Sequence, residues 1–137
     1  LKTVAKSIIS AGVRMEKFGL VHCDIKPDNI MLRDGTVVLI DLGSVVLLNE
    51  RVVEFTENYG LDCSRLSASH KFDIVCLVVT ICCGFVPGFI VKAGTVVSLE
   101  EELRELAVLC EELTEYVDLC LRLLKCATFT DASQIEF

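Results

Sequence analysis

Apolar residues recur at Val4, Ile8, Ala11, Met15 and Phe18, in alternating steps of four and three that put them on one face of a helix over residues 1–17. Gly19 follows, where a left-handed cap ends such a helix. Leu20 and Val21 read as a short strand entering a polar loop, residues 22–29, in which Pro27 opposes helix and disfavours it at Lys26. Residues 30–32 and 37–40 are β-prone and are joined by Arg33, Asp34, Gly35 and Thr36, whose Asp-Gly pair predicts a hairpin. Residues 45–48 predict another strand, turning at Asn49 and Glu50. Over residues 51–71 no period holds, so this stretch is a long loop of the kind that usually carries function.

The run 74–83 carries no charge and predicts a buried core helix opening near Asp73. Its ten residues span about 15 Å as a helix, half a bilayer, so it is too short for a membrane span. Residues 84–94 are turn-rich, and Ser98 with Glu101 three residues on predicts a capping box that launches an amphipathic helix through Leu113. A last helix has Val117, Cys120, Leu121 and Leu124 as its apolar face. These elements predict a mainly α domain with short β hairpins, an α+β fold.

Charge and cysteine usage narrow the function classes. The net charge is −7, but residues 99–118 hold eight acids against Arg104 alone, which leaves the rest of the chain neutral. Such a run reads as a solvated helical face, and no basic stripe points to nucleic acid. The eight cysteines lie largely inside apolar helical runs and read as free thiols of an intracellular, reducing compartment, in cytoplasm or nucleus. No Cys-x-x-Cys pair is present to hold zinc.

The chemistry is concentrated in residues 21–43, where VHCDIKPDNIML is followed by a hairpin and Asp41-Leu42-Gly43. Two acids and an amide, Asp24, Asn29 and Asp41, flank one hairpin that can aim them at a single point. Phosphoryl transfer needs such an arrangement, because it is catalysed by positioning, cationic stabilisation and hard oxygen ligands for magnesium. Asp24 suits a substrate hydroxyl, Lys26 the γ-phosphate, and Asn29 with Asp41 a Mg2+ ion.

HCDIKPDN resembles the protein-kinase catalytic loop His-Arg-Asp-Leu-Lys-Pro-Glu-Asn, and DLG resembles Asp-Phe-Gly. The resemblance implies a protein-kinase-like C-terminal lobe over residues 1–137. Its catalytic loop is 20–32, its magnesium segment 37–44, its activation-segment-like loop 45–71, and its buried helix runs from 73. It implies catalytic roles for Asp24 and Lys26, ATP contacts by Lys26, Asn29 and Asp41, and support from His22, Gly43 and Asp73. Small-molecule kinases of the aminoglycoside and choline type share the Asp-to-Asn spacing but usually carry His where Lys26 stands, which favours a Ser or Thr hydroxyl of a protein as acceptor. LIDLGS, DIKPDN and Asp73 with Thr80 are also similar to Bub-type spindle-checkpoint kinases, which implies a kinetochore setting.

Several positions depart from the kinase pattern. Cys23 stands where regulated kinases carry Arg, and Leu42 replaces Phe. Aligning Thr56 and Tyr59 with Gly-Thr-x-x-Tyr puts Leu61, Asp62 and Cys63 at the Ala-Pro-Glu position, and the Arg that pairs with that Glu, expected near Phe129, is absent. The Gly-rich loop, strand Lys and partner Glu of the N-terminal lobe are not in this sequence. The expectation is a piece of a longer kinase, weakly active by itself, whose interlobe surface meets its own N-terminal lobe or a partner protein. The alternative is a stand-alone, non-catalytic lobe that binds or mimics a kinase.

Overall fold

The computed structural model describes residues 1–61, 67–92 and 94–137. Helix α1, Lys2–Glu16, forms where the apolar stripe predicts a helix, but the face it buries is Ala5, Ile8, Ile9 and Gly12. Of the predicted stripe only Ile8 is buried, Val4, Ala11 and Met15 are half-buried, and Phe18, beyond the helix end, is 76% exposed. Gly19 follows with φ +64°, the conformation that lets the chain leave the helix and turn into β1, Leu20–Val21. Pro27 opens a 3-10 turn, Pro27–Asn29, instead of breaking all helical structure. It sits at the first position of that turn, where its missing N–H has no partner to lose.

Strands β2, Ile30–Arg33, and β3, Thr36–Leu39, form the antiparallel hairpin, with Ile30 opposite Leu39 and Arg33 opposite Thr36. Asp34 and Gly35 both have positive φ, as the Asp-Gly signal requires. Strand β4, Val46–Leu47, returns to pair antiparallel with β1, so the catalytic-loop candidate leaves one two-stranded ladder and enters the other.

Helix α2, His70–Phe85, is apolar on every side and forms the middle of the core, packed against α1 and the later α4. It starts three residues before Asp73 because Ser69 caps it, accepting from the Phe72 N–H at 3.2 Å. Helix α3, Val96–Leu109, is capped by Thr95, not by the expected Ser98. Thr95 is extended and its hydroxyl accepts from the Ser98 N–H at 3.1 Å, while Ser98 lies inside the first turn, bonded to Glu102 at 3.0 Å. The helix also stops at Leu109 rather than Leu113, because Cys110 is extended, and a 3-10 turn, Glu111–Leu113, leads into α4, Thr114–Lys125. On α4, Val117, Cys120 and Leu124 are buried with Leu119 and Leu123, and Leu121 is half-buried.

A short final helix, α5, Phe129–Ala132, has a full Thr128/Asp131 capping box. Phe129 is fully buried against α1, where a Cβ at Gly12 would overlap its ring. Glu16 caps the start of α5, accepting from the N–H groups of Phe129 and Thr130 and from the Thr130 hydroxyl. At the position expected to carry a family arginine, an apolar lock therefore joins the first and last helices.

Of the cysteines, Cys23, Cys76, Cys82 and Cys120 are buried and Cys83, Cys110 and Cys126 are partly buried. Cys63 and Asp62, aligned with the Ala-Pro-Glu segment, lie outside the described residues. Among the described residues no helix is long and apolar enough to cross a membrane.

Candidate active site

The site is built on α2. Asp73, buried in its first turn, accepts from the backbone N–H of His22 at 2.7 Å and of Cys23 at 2.8 Å. Cys23 has φ +67°, a left-handed conformation unusual for a residue with a Cβ, and the paired donation to Asp73 holds the loop there. Burial pushes the Asp73 carboxyl up to about pKa 7, against the two N–H donors that favour its charged form.

His22 is fully buried. Burial lowers its pKa, partly offset by the Ile40 carbonyl and by the Asp24 and Asp41 carboxylates. A neutral ring fits its geometry, since Nδ1 lies 3.3 Å from the Asp24 N–H as an acceptor.

Asp24 is 7% exposed and both its oxygens are fully engaged. Oδ1 accepts from the Thr56 hydroxyl at 2.6 Å and the Thr56 N–H at 3.1 Å. Oδ2 accepts from Asn29 Nδ2 at 3.0 Å and pairs with Lys26 Nζ at 2.8 Å. Lys26 Nζ also donates to the Thr56 hydroxyl at 2.9 Å, closing a triangle. Burial pushes the Asp24 pKa up, but the hydrogen bonds from Lys26, Thr56 and Asn29 and the Lys26 charge outweigh it, so the carboxyl lies below its ordinary value.

Asn29 is anchored a second time, donating to the Asp24 carbonyl at 2.8 Å. Its own carbonyl accepts from the Ile40 N–H at 2.8 Å, which ties the loop to the residue before Asp41. Asp41 has φ +61°, is exposed, and among the described residues accepts from the Gly43 N–H alone, at 3.2 Å. The structure thus gathers Asp24, Lys26 and Asn29 into one hydrogen-bonded knot, while Asp41 stands beside it without a direct bond to the three. Gly43 lies against Asp41, with the site of a Cβ 3.2 Å from Oδ1. Thr80, on α2, has its hydroxyl 2.8 Å from the Cys76 carbonyl and 3.4 Å from that of Ile25, beneath the same loop.

Thr56 is the member of the knot that sequence reasoning assigned no role. Its signal was the alignment with Gly-Thr-x-x-Tyr, which marks a segment but says nothing of a contact across 32 residues. Among the described residues no three His, Cys, Asp or Glu side chains form a preformed metal cage. The donor set still suits a hard cation completed by phosphate oxygens. Asn29 uses its amide nitrogen inward, which leaves its oxygen, and the Asp41 carboxylate is exposed.

This architecture, with the Asp-x-Lys-x-x-Asn loop braced by Asp73, is a kinase-like α+β fold, and the proteins it resembles support a place in the protein-kinase-like superfamily. Residues 1–68 match the RIO domain family. Protein kinase YpkA of Yersinia pseudotuberculosis is 34% identical over 86 residues, covering 59% of this chain and 12% of that protein. Homeodomain-interacting protein kinase 4 of Homo sapiens is 36% identical over 55 residues, covering 36% of this chain and 9% of that protein. The fold superposes on the ROP18 kinase domain, solved in complex with AMP-PNP and sucrose, with a TM-score of 0.73 at 20% identity, covering 96% of this chain and 38% of that one. None of these three is a Bub-type kinase, and that narrower likeness rests on the sequence motifs alone.

Proposed function

We propose that this chain forms the catalytic C-terminal lobe of an ATP-dependent serine/threonine protein kinase. The observation that carries the reading is the knot around Asp24, in which an ionised carboxylate, a lysine and an amide are held within hydrogen-bond reach of one another. Nothing in folding alone calls for that set, since a buried ion pair is at best weakly stabilising.

The geometry also suggests an order of events. All four acceptor positions of Asp24 are taken, so a substrate hydroxyl reaches it only after one donor leaves. Lys26 is the natural one to leave, because a long, half-buried ammonium can swing to a γ-phosphate, and its departure frees Oδ2 for the hydroxyl. Thr56 stays on Oδ1 and fixes the carboxylate plane, which supports an aliphatic Ser or Thr acceptor presented along this segment. The Asn29 oxygen and Asp41 would hold Mg2+, which when bound neutralises charge on the phosphates. The apolar groove formed by Met15, Phe18, Leu20, Val37, Leu39 and Leu42, with Leu42 67% exposed, is the surface an N-terminal lobe or a partner protein would cover.

The test is phosphate transfer from radiolabelled ATP to Ser/Thr peptides by the longest protein that carries this chain. Asp24→Asn should abolish transfer while nucleotide binding persists, and Asp41→Asn should weaken magnesium-dependent nucleotide binding. Undiminished transfer by Asp24→Asn would remove the reading.

A further inference from the structure

The end of α3 carries two neighbouring apolar side chains almost wholly in solvent, Val108 at 86% and Leu109 at 82% exposure. Isolated exposed apolar residues are ordinary, but these are contiguous with a groove. Arg104, Glu105, Val108 and Leu109 line an open hollow of about 420 Å³. Leu109 and Glu105 also border a second hollow of about 260 Å³, shared with Phe89, Ile90 and Leu106. The two hollows share Glu105 and Leu109 as walls and together make a channel at the end of α3, bordered by Ile90, which is 59% exposed.

The lining itself holds Glu102 and Glu105 beside Lys92 and Arg104, but the chain segment that carries it is strongly acidic. Residues 100–112 contain six glutamates, against which stand Arg104, already paired with Glu100 at 3.5 Å, and Lys92. Among the described residues Glu101, Glu105, Glu111 and Glu112 have no ion pair, whereas elsewhere Glu115 and Asp118 are paired with Lys2 and Arg122. We propose that this channel docks a basic, amphipathic segment of a partner protein, with apolar anchors on Val108, Leu109 and Ile90 and lysines or arginines over the exposed glutamates of the same segment, Glu101, Glu105, Glu111 and Glu112. A second copy of this chain fits poorly, because a two-fold contact would set the same glutamates face to face. Nucleic acid and anionic membranes meet the same repulsion.

This surface is independent of the phosphate-transfer reading, and its test is binding without nucleotide, so either can fail alone. The probe is a fluorescent synthetic helix with leucines at i, i+3, i+4 and i+7 and lysines elsewhere, set against a twin whose lysines are glutamates. Polarisation should show the basic peptide binding at least about tenfold tighter than its twin, with affinity falling as salt rises. Val108→Ser with Leu109→Ser should cost roughly tenfold or more, and Glu105→Lys several-fold with a shallower salt dependence. Equal binding of both peptides, or wild-type binding by the double variant, would overturn the proposal. So would a concentration-dependent dimer that the double variant abolishes, since the channel would then be filled by a second copy.

Discussion

Asp24 and Asp41 are acids that sequence spacing assigns to one site, yet the structure treats them in opposite ways. Asp24 is buried, accepts from four donors and sits on a loop bolted to α2 through Asp73. Asp41 is exposed and held by one local contact to Gly43. The difference teaches which half of the site this lobe organises by itself. The end proposed to take the hydroxyl is fixed by hydrogen bonds from its own loop and segment, whereas the carboxylate proposed to face the metal has, among the described residues, only its local bond from Gly43. A pre-paid geometry at Asp24 is what catalysis by positioning requires, and an uncommitted carboxylate at Asp41 is what a cation with its own phosphate ligands requires.

The comparison breaks most sharply at Asp73. Asp73→Ala strands two buried N–H donors and releases the left-handed Cys23, and should cost about 4 kcal/mol in urea unfolding. A loss under about 1 kcal/mol would mean that the loop is held by something other than α2. Acidity probes the same contact. With its pKa raised to about 7, Asp73 binds a proton in the folded state that the unfolded chain releases near pH 4. Its contribution is therefore fully present below about pH 4 and is lost as pH rises to 7, by at most about 1.4 kcal/mol per unit. His22, with a lowered pKa, acts in reverse: its contribution is present above about pH 6.5 and is lost on acidification. Stability profiles of wild type and Asp73→Asn should separate the two, since the variant should keep only the decline toward acid.

Smaller effects sharpen the contrast between the two ends. Asp24→Asn places an amide N–H₂ against existing donors and should cost about 2 kcal/mol, whereas Asp41→Asn should change stability by less than about 0.5 kcal/mol. Equal costs would erase the distinction between a rigid and an open end. Thr56→Val removes one bond to Asp24 and one from Lys26 and should cost about 1 kcal/mol, with more rapid proteolysis near residue 56 as the visible sign.

Much of this was legible in the sequence. The α1 stripe, the Asp-Gly hairpin and the uncharged 74–83 run each reflect a period or a turn chemistry that acts over a few residues, so they survive in the fold with shifts of a residue or a few. The cap of α3 was misplaced because Ser98 and Thr95 both satisfy the local rule, and the choice falls to the residue whose backbone is extended where the chain enters. α5 escaped notice because four residues carry no period, although its Thr128 and Asp131 box was present in the sequence.

By itself, then, the sequence determined which residues are candidates for chemistry, their order and their spacing, because motif chemistry is local and Asp24, Lys26 and Asn29 lie within one loop. The tertiary structure showed how Asp73, about fifty residues on and implied as a support by the kinase resemblance, clamps the loop, and it alone decided that Thr56 completes the knot and that Phe129 seals the last helix to Gly12. The physical reason is that a buried donor must find its acceptor wherever packing puts one. Spacing along the chain fixes neighbours within a turn or a strand, while the identity of a partner across the core is set by how α1, α2 and the hairpin settle against each other.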